Sequence, residues 1–202
     1  MSRVLLFDLC DTVVRTAGVR ALLDLPGLEA GHDEASLDAW FKNNPLFYAY
    51  ERGEVGDGDF LRSMRRGPWK GAGEAELATA LERLILHEID GVPQWLARLK
   101  RHWPLYALSN NNPLLWRGTL RVSRAVGLFD AVFLSFDIGR LKPDEETFAY
   151  VLRRLNRDAA DVVFVDDNPV CVEGARRAGM DAVLFTGAAE AAARVDCILE
   201  RH

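Results

Sequence analysis

Short apolar runs that alternate with amphipathic segments are the feature of this sequence that most constrains its fold. The runs lie at residues 4–7, 105–108, 131–136, 162–165 and 182–185. A continuous apolar run of this length is typical of a parallel strand that is buried on both faces. Segments of helical period lie between most of these runs. The sequence therefore predicts an α/β fold with a Rossmann-like parallel sheet and helices on both faces.

A different pattern fills residues 15–90, where apolar residues recur at helical spacing. One example is the stripe formed by Leu77, Leu81, Leu84 and Ile85. This periodicity predicts three to four amphipathic helices without strands. We therefore expect two domains. Residues 1–14 and 91–202 form the Rossmann-like core, and residues 15–90 form a helical cap domain that is inserted into it.

The composition excludes several classes of protein. Of 202 residues, 49% are hydrophobic and 27% are charged, and the formal net charge is -5. These values are typical of a globular domain that does not bind nucleic acid. No segment approaches the roughly 20 apolar residues needed to cross a bilayer, and no signal-peptide pattern follows Met1. Cys10, Cys171 and Cys197 fit neither a disulfide framework nor a zinc motif. We expect a cytoplasmic protein with no membrane or nucleic-acid partner.

Polar residues directly follow three of the predicted strands. Asp8 follows the first, Ser109 and Asn110 follow the second, and Asp166 and Asp167 follow a later one. Ligands of open α/β sheets bind at the carboxyl ends of the strands, so these side chains are expected to converge. Together they could hold a divalent cation and a phosphoryl group.

Asp8 is the candidate nucleophile. A carboxylate at the end of a buried strand is partly desolvated, and covalent catalysis divides one difficult displacement into two easier ones. The alternative is that Asp8 is an ordinary helix cap or turn residue. Thr12, four positions later, is predicted either to hydrogen-bond Asp8 or to cap the next helix.

Asp166 and Asp167 are the candidate metal ligands. Adjacent like charges are costly unless a cation lies beside them. Mg²⁺ is commonly held by one or two carboxylates, waters and a substrate phosphate, and Asp167 is the preferred direct ligand here. Alternatively, one of the two caps the helix that follows from Pro169, with help from Asn168.

Ser109, Asn110 and Lys142 are the candidate phosphate-binding residues. A hydroxyl and backbone N–H groups at a helix start can bind phosphate oxygens. Lys142, which precedes Pro143, could neutralise phosphate charge or steady two carboxylates. Each residue alone has an ordinary explanation, since Ser-Asn is common in turns and a loop lysine is usually solvated. Their joint occurrence, in this order, favours a phosphate site.

These fragments resemble the four motifs of the haloacid dehalogenase superfamily of hydrolases, over nearly the whole chain. The resemblance implies a Rossmann-like core with a type 1 helical cap, a Mg²⁺ cofactor and an aspartyl-phosphate intermediate on Asp8. The motifs, together with residues 51–54 of the cap, are most similar to those of sugar-phosphate phosphatases. They are also similar to those of the N-terminal phosphatase domain of soluble epoxide hydrolase.

The resemblance also assigns roles to the residues around Asp8. It implies that the backbone carbonyl of Cys10 and the side chain of Asp167, aided by Asp166, complete the Mg²⁺ shell. Ser109 and Lys142 would hold the phosphoryl oxygens. The substrate would be a small phosphorylated metabolite.

Cys10 departs from the family pattern. Phosphatases of this superfamily usually carry an aspartate two positions after the nucleophile, where it protonates the leaving alkoxide and then activates water. A thiol near its ordinary pKa is a poor proton donor to an alkoxide and a weak base for water. Asp11 is adjacent, but moving one position along an extended chain turns the side chain away from the face of Asp8. We therefore expect a phosphatase with slow turnover.

Two alternatives remain open at this point. A carbon–halogen hydrolase of the same superfamily also lacks an aspartate at the position of Cys10, although it has no use for the carboxylate pair at 166–167. A non-catalytic phosphate-binding protein would keep the metal and phosphate residues after losing the chemistry. In each case the cap is expected to close over the ligand, with Trp40, Tyr48 and Trp69 as candidate contacts.

Overall fold

The computed structural model describes residues 3–201 of the chain. Its strands in chain order are β1 (Val4–Phe7), β2 (Val14–Thr16), β3 (Ile85–Glu88), β4 (Leu105–Ser109), β5 (Ala131–Leu134), β6 (Val162–Asp166) and β7 (Asp181–Leu184). Its α-helices are α1 (Glu34–Asn43), α2 (Pro45–Glu51), α3 (Asp57–Arg66), α4 (Glu74–Glu82), α5 (Val92–Lys100), α6 (Pro113–Val122), α7 (Ser135–Ile138), α8 (Glu145–Leu155), α9 (Pro169–Arg177) and α10 (Ala188–Leu199). In this part of the chain no helix is long and apolar enough to cross a membrane.

Five parallel strands form the main sheet in the order β5-β4-β1-β6-β7, with β1 in the centre. Phe7 at the end of β1 pairs with Ala107 of β4 and with Val165 of β6. The residues that follow these strands therefore meet at one edge of the sheet. The predicted α/β fold with a parallel sheet is confirmed.

Helices cover both faces of this sheet, and every residue of β1 and β6 is therefore buried. On one face α5 packs against β1, where the ring of Phe7 meets that of Trp95 edge-on at 5.2 Å, and α10 packs against β6 and β7. On the other face α8 and α9 pack against β6, and Phe148 meets Phe164 at 5.6 Å. Burial on both faces explains why these strands read as continuous apolar runs.

Helices α1 to α4 lie in the segment predicted to be the cap, and we use that name for them; their apolar side chains form a separate cluster that also includes Leu114 of α6. The rings of Tyr50 and Phe60 stack at 4.6 Å, and Phe41 and Trp69 pack beside them. The antiparallel pair β2–β3 joins this unit to the parallel sheet. The expectation that residues 15–90 contain no strand is wrong at this pair, and Ile85 lies in β3 rather than on a helix. Strands of three and four residues are too short to show an alternation of apolar and polar positions.

Cap and core also meet along α6. Arg117 donates hydrogen bonds to Glu82 at 2.7 Å and to Asp57 at 2.8 Å. Beside it, Gly118 lies so close to the end of α4 that a Cβ there would be 2.2 Å from the carbonyl oxygen of Glu82. This close approach requires a glycine.

Two further boundaries differ from the sequence prediction. Residues 135–136 were expected in a strand but begin α7, because β5 loses its partner where Leu134 pairs with Ser109 at the end of β4. The helix expected from Asp144, with Pro143 at its start, begins at Glu145, and the Lys142-Pro143 peptide bond is cis.

Candidate active site

Three carboxylates meet at the edge of the sheet where β1 and β6 end. Asp8, Asp166 and Asp167 each offer an oxygen atom, and these oxygens lie within 4.8 Å of one another. The pairing of Phe7 with Val165 brings Asp8 level with Asp166, while Asp167 is one residue further on. The structure therefore brings together the candidate nucleophile and both candidate metal ligands.

Lys142 lies between two of these carboxylates. Its Nζ donates to Asp8 Oδ1 at 2.6 Å and to Asp166 Oδ2 at 2.6 Å. All three side chains are buried, with 5% exposure for Asp8, 5% for Lys142 and 1% for Asp166. The other Asp166 oxygen, Oδ1, accepts a hydrogen bond from the backbone N–H of Asn168 at 2.8 Å. Protein donors thus engage both oxygens of Asp166, whereas Asp8 Oδ2 accepts no hydrogen bond from residues 3–201.

Burial dominates the electrostatics of this cluster. Burial raises the pKa of Asp8 to about 7, although the Lys142 ammonium opposes it. Burial and the charge of Asp166 raise the pKa of Asp167 to about 6. For Lys142, burial alone would lower the pKa, but the charges of Asp8 and Asp166 outweigh it and hold the pKa above its ordinary value. The ammonium is therefore permanently charged, while the carboxylates lack a second positive partner.

Asn110 acts on the backbone of Lys142. Its Nδ2 donates to the Lys142 carbonyl at 2.8 Å, and its Oδ1 accepts from the Lys142 N–H at 2.8 Å. Both ends of the side-chain amide are used in this way, so the Asn110 side chain positions the lysine. Phosphate binding by the Ser109 hydroxyl and the local backbone N–H groups around Asn110 stays a prediction, because the contacts with Lys142 engage only the side-chain amide. The nearby Ser109 is fully buried, and its Oγ is only loosely engaged, 3.5 Å from the Asn110 carbonyl oxygen.

Cys10 and Asp11 follow Asp8 on a tight turn. Burial and the charge of Asp8 raise the pKa of the Cys10 thiol well above its usual range, so the thiol stays protonated. Asp11 has a left-handed backbone conformation, with φ of 55°. Its carboxylate accepts from Thr16 Oγ1 at 2.5 Å and from Arg15 at 3.0 Å. The Asp11 carboxylate is thus held by its own loop.

Thr12 lies in the same turn and is fully buried. No helix begins after it, because the chain continues into β2. The predicted helix-capping alternative for Thr12 is therefore wrong. Its Oγ1 has no hydrogen-bond partner within residues 3–201. A buried hydroxyl without a hydrogen-bond partner is costly.

The cluster fits a hard divalent cation. Its donors are all oxygens, as Mg²⁺ prefers, and three carboxylates with one ammonium leave an excess of negative charge. The raised pKa values of Asp8 and Asp167 express the same deficit of positive charge. Asp167, which is half-buried, is the carboxylate most open to a new ligand.

One carboxyl near the site was not selected from the sequence. Glu51 ends α2 in the cap, burial raises its pKa to about 7, and its charge acts on the Cys10 thiol. The Glu-Arg-Gly-Glu segment at 51–54 is visible in the sequence, but nothing in it shows that the first glutamate is partly buried and the second is exposed. Conversely, Trp69 was a candidate ligand contact and is instead fully buried in the cap core, where it packs against Trp40.

The family of this chain follows from its sequence. A family model for haloacid dehalogenase-like hydrolases matches residues 3–179. That span contains every site residue described above and most of the chain. The protein belongs to the haloacid dehalogenase-like hydrolases, and it is a hydrolase.

Two named relatives extend this result. Validoxylamine A 7'-phosphate phosphatase of Streptomyces hygroscopicus subsp. limoneus is 25% identical over 201 residues, covering 89% of this chain and 92% of that protein. Drimenol cyclase drtB of Aspergillus calidoustus is 50% identical over 58 residues, which are 29% of this chain and 11% of the cyclase. The chain thus matches only a small part of the length of the cyclase.

A solved structure shares the fold. A HAD family enzyme of Bacteroides thetaiotaomicron, determined in complex with magnesium and inorganic phosphate, aligns with a TM-score of 0.80. The alignment covers 93% of this chain and 96% of that chain at 19% identity. At this identity the likeness supports the fold alone.

Proposed function

We propose that this protein is a Mg²⁺-dependent phosphomonoester hydrolase that acts on a small organic phosphate through an aspartyl-phosphate on Asp8. The observation that carries the proposal is the cluster of three carboxylate oxygens within 4.8 Å, with the Lys142 ammonium between Asp8 and Asp166. The name of the validoxylamine phosphate relative supports a phosphomonoester as the substrate.

The chain's own residues suit this reaction. Asp8 Oδ2 is the carboxylate oxygen available to attack phosphorus. The ester P–O bond would break, the leaving alkoxide or aryloxide would take its proton from water, and the phosphoryl group would stay on Asp8 until a water molecule releases it as phosphate. The Lys142 ammonium is hydrogen-bonded to the other oxygen of Asp8, Oδ1, and is placed to offset the phosphoryl charge. The buried hydroxyls of Ser109 and Thr12 are the donors that we propose for the phosphoryl oxygens. Mg²⁺, when bound by Asp8, Asp167 and the Cys10 carbonyl, would supply further positive charge to the transferring group.

Slow turnover on alkyl esters is part of the proposal. The Cys10 thiol, with its raised pKa, neither donates a proton readily nor accepts one from water. General acid–base assistance typically contributes about 10²–10⁴-fold in rate. Aryl phosphates need little protonation of the leaving group and are therefore the better first substrates.

Release of phosphate from an aryl phosphate tests the proposal. The wild-type protein should release phosphate when Mg²⁺ is present and stop when EDTA removes it, and Asp8→Asn should be inactive. Asp90→Asn, which changes an exposed carboxylate outside the site, serves as the control. Equal rates with and without Asp8 would refute covalent catalysis at this residue. Metal-independent release of halide from a haloacid, without phosphate release, would favour the carbon–halogen hydrolase.

A further inference from the structure

We propose that a cavity beside Cys10 binds the organic group of the substrate, and that this group is an apolar hydrocarbon rather than a sugar. The inference rests on the proposed phosphatase function, because it assigns the substrate class of the same site. It rests on the position of the cavity, on the apolar side chains that line it and on the hydrogen bonds that its polar groups already make.

The cavity lies between the cap and the end of the parallel sheet. It has a volume of about 340 Å³, and Cys10, Asp11 and Asn110 line its inner end. Pockets for small organic ligands measure roughly 300–1,000 Å³, so the space suits a group of modest size. Cys10 is two residues from Asp8, and Asn110 holds the backbone of Lys142. A phosphate at Asp8 would therefore direct its ester group into this cavity.

Apolar side chains form most of the cavity wall. Cap residues that line it include Leu22, Phe41, Phe47, Phe60, Leu81 and Leu84. Phe47 and Leu84 are only partly buried, so they present apolar surface to the cavity. Apolar surface of this kind gains free energy when it contacts hydrocarbon instead of water.

Several polar side chains in the wall already have hydrogen-bond or ion-pair partners. Asp38 and Lys42 form an ion pair at 2.5 Å. Thr16 donates both its hydroxyl and its backbone N–H to Asp11. Asn110 uses both ends of its amide on Lys142. Thr16 and Asn110 would have to break these contacts in order to donate to the hydroxyl groups of a sugar, whereas the solvent-exposed Asp38–Lys42 pair keeps further donor and acceptor positions.

The balance of solvation follows from these walls. A sugar that enters the cavity loses hydrogen bonds to water, and each buried hydroxyl that finds no new partner is penalised. A hydrocarbon chain has no such loss. Each methylene that becomes buried contributes up to about fourfold in binding, which is the equivalent of about 0.8 kcal/mol.

A series of primary alkyl phosphates provides the test. Ethyl, butyl, hexyl and octyl phosphate have similar leaving groups, so differences in kcat/KM report contacts of the chain. We expect kcat/KM with Mg²⁺ to rise by about two- to fourfold per methylene, mainly through KM, and to level off once the chain fills the cavity. Glucose phosphates should be poorer than octyl phosphate. A flat series, or a preference for the sugar, would overturn the inference while leaving the phosphatase proposal intact.

Two variants of the cavity wall and one matched control test whether the dependence of kcat/KM on chain length arises in this cavity. Leu84→Gln places an amide of similar size in the wall and should reduce the octyl-to-ethyl ratio of kcat/KM severalfold. Leu120→Gln makes the same change on α6 at a side chain that is 55% exposed outside the cavity, and it should leave the ratio unchanged. Val19→Thr, a nearly isosteric change in the wall, covers the case in which Leu84→Gln fails to fold. Identical ratios in folded wall variants and in the control would contradict the proposal.

Calorimetric binding separates the two proposals. If no ester, aryl phosphate included, releases phosphate, the hydrolase proposal fails. The preference of the cavity for hydrocarbon can still be tested by comparing the affinities of ethyl and octyl phosphate in the presence of Mg²⁺. Tighter binding of octyl phosphate, weakened by Leu84→Gln, supports the apolar cavity, and equal affinities refute it.

Discussion

Replacing the candidate nucleophile, Asp8→Asn, should make the metal-free protein more stable in a pH-dependent way. Burial raises the pKa of Asp8 from 3.8 to about 7. Between these values the folded protein retains a proton that the unfolded chain releases. The wild-type free energy of unfolding therefore falls as pH rises through this window, and the full cost is present above about pH 7.

The magnitude follows from the same values. A rise in pKa from 3.8 to about 7 corresponds to about 4 kcal/mol of destabilisation at pH 8, at about 1.36 kcal/mol for each pH unit. At pH 5 less than half of this cost is present. An asparagine does not titrate, so the stability of Asp8→Asn relative to wild type should increase by about 3 kcal/mol between pH 5 and pH 8.

Urea unfolding in EDTA at the two pH values measures this difference. Asp90→Asn, at an exposed position, gives the baseline for loss of a surface carboxylate. Saturating Mg²⁺ should stabilise the wild type more than Asp8→Asn, because a cation that binds only the folded state adds stability by mass action. If the stability of Asp8→Asn relative to wild type is the same at pH 5 and pH 8, Asp8 is not a buried carboxyl with a raised pKa.

Three further substitutions test other parts of the site and the fold. Lys142→Met leaves two buried carboxylates without their ammonium and should cost about 3–5 kcal/mol in urea unfolding at pH 8; a loss below about 1 kcal/mol would contradict the ion-pair geometry. Cys10→Asp should raise turnover on alkyl phosphates more than on aryl phosphates, by up to about 10²-fold, and equal effects would mean that proton donation is not limiting. Gly118→Ala places a Cβ 2.2 Å from the Glu82 carbonyl oxygen and should lower stability by about 1–3 kcal/mol in thermal unfolding, whereas Gly127→Ala, with nothing within 4 Å, should be nearly neutral.

The sheet and the location of the site could be predicted because they depend on simple regularities. Strands buried on both faces carry apolar residues at every position, so β1 and β6 are visible as continuous runs. Parallel strands end at one edge, so Asp8 and Asp166 had to meet there even though 158 residues separate their positions in the sequence.

Other parts of the site depend on packing that no local pattern reports. The two hydrogen bonds between the Asn110 side-chain amide and the Lys142 backbone join residues that are 32 positions apart. They depend on the path of the loop before α8. The short β2–β3 ribbon has too few residues to show alternation. The apolar cavity arises from side chains on several cap elements, and only their three-dimensional arrangement shows that Phe47 and Leu84 face the same space.

The phosphoryl group that Asp8 is proposed to accept provides the most direct test of the account. The protein would be mixed with an aryl phosphate and Mg²⁺, quenched in acid within the first turnover and mapped by mass spectrometry of its peptides. We predict one added phosphoryl group on the peptide that contains Asp8, and none in Asp8→Asn. Phosphate release without any adduct on that peptide, or an adduct on another residue, would contradict the mechanism.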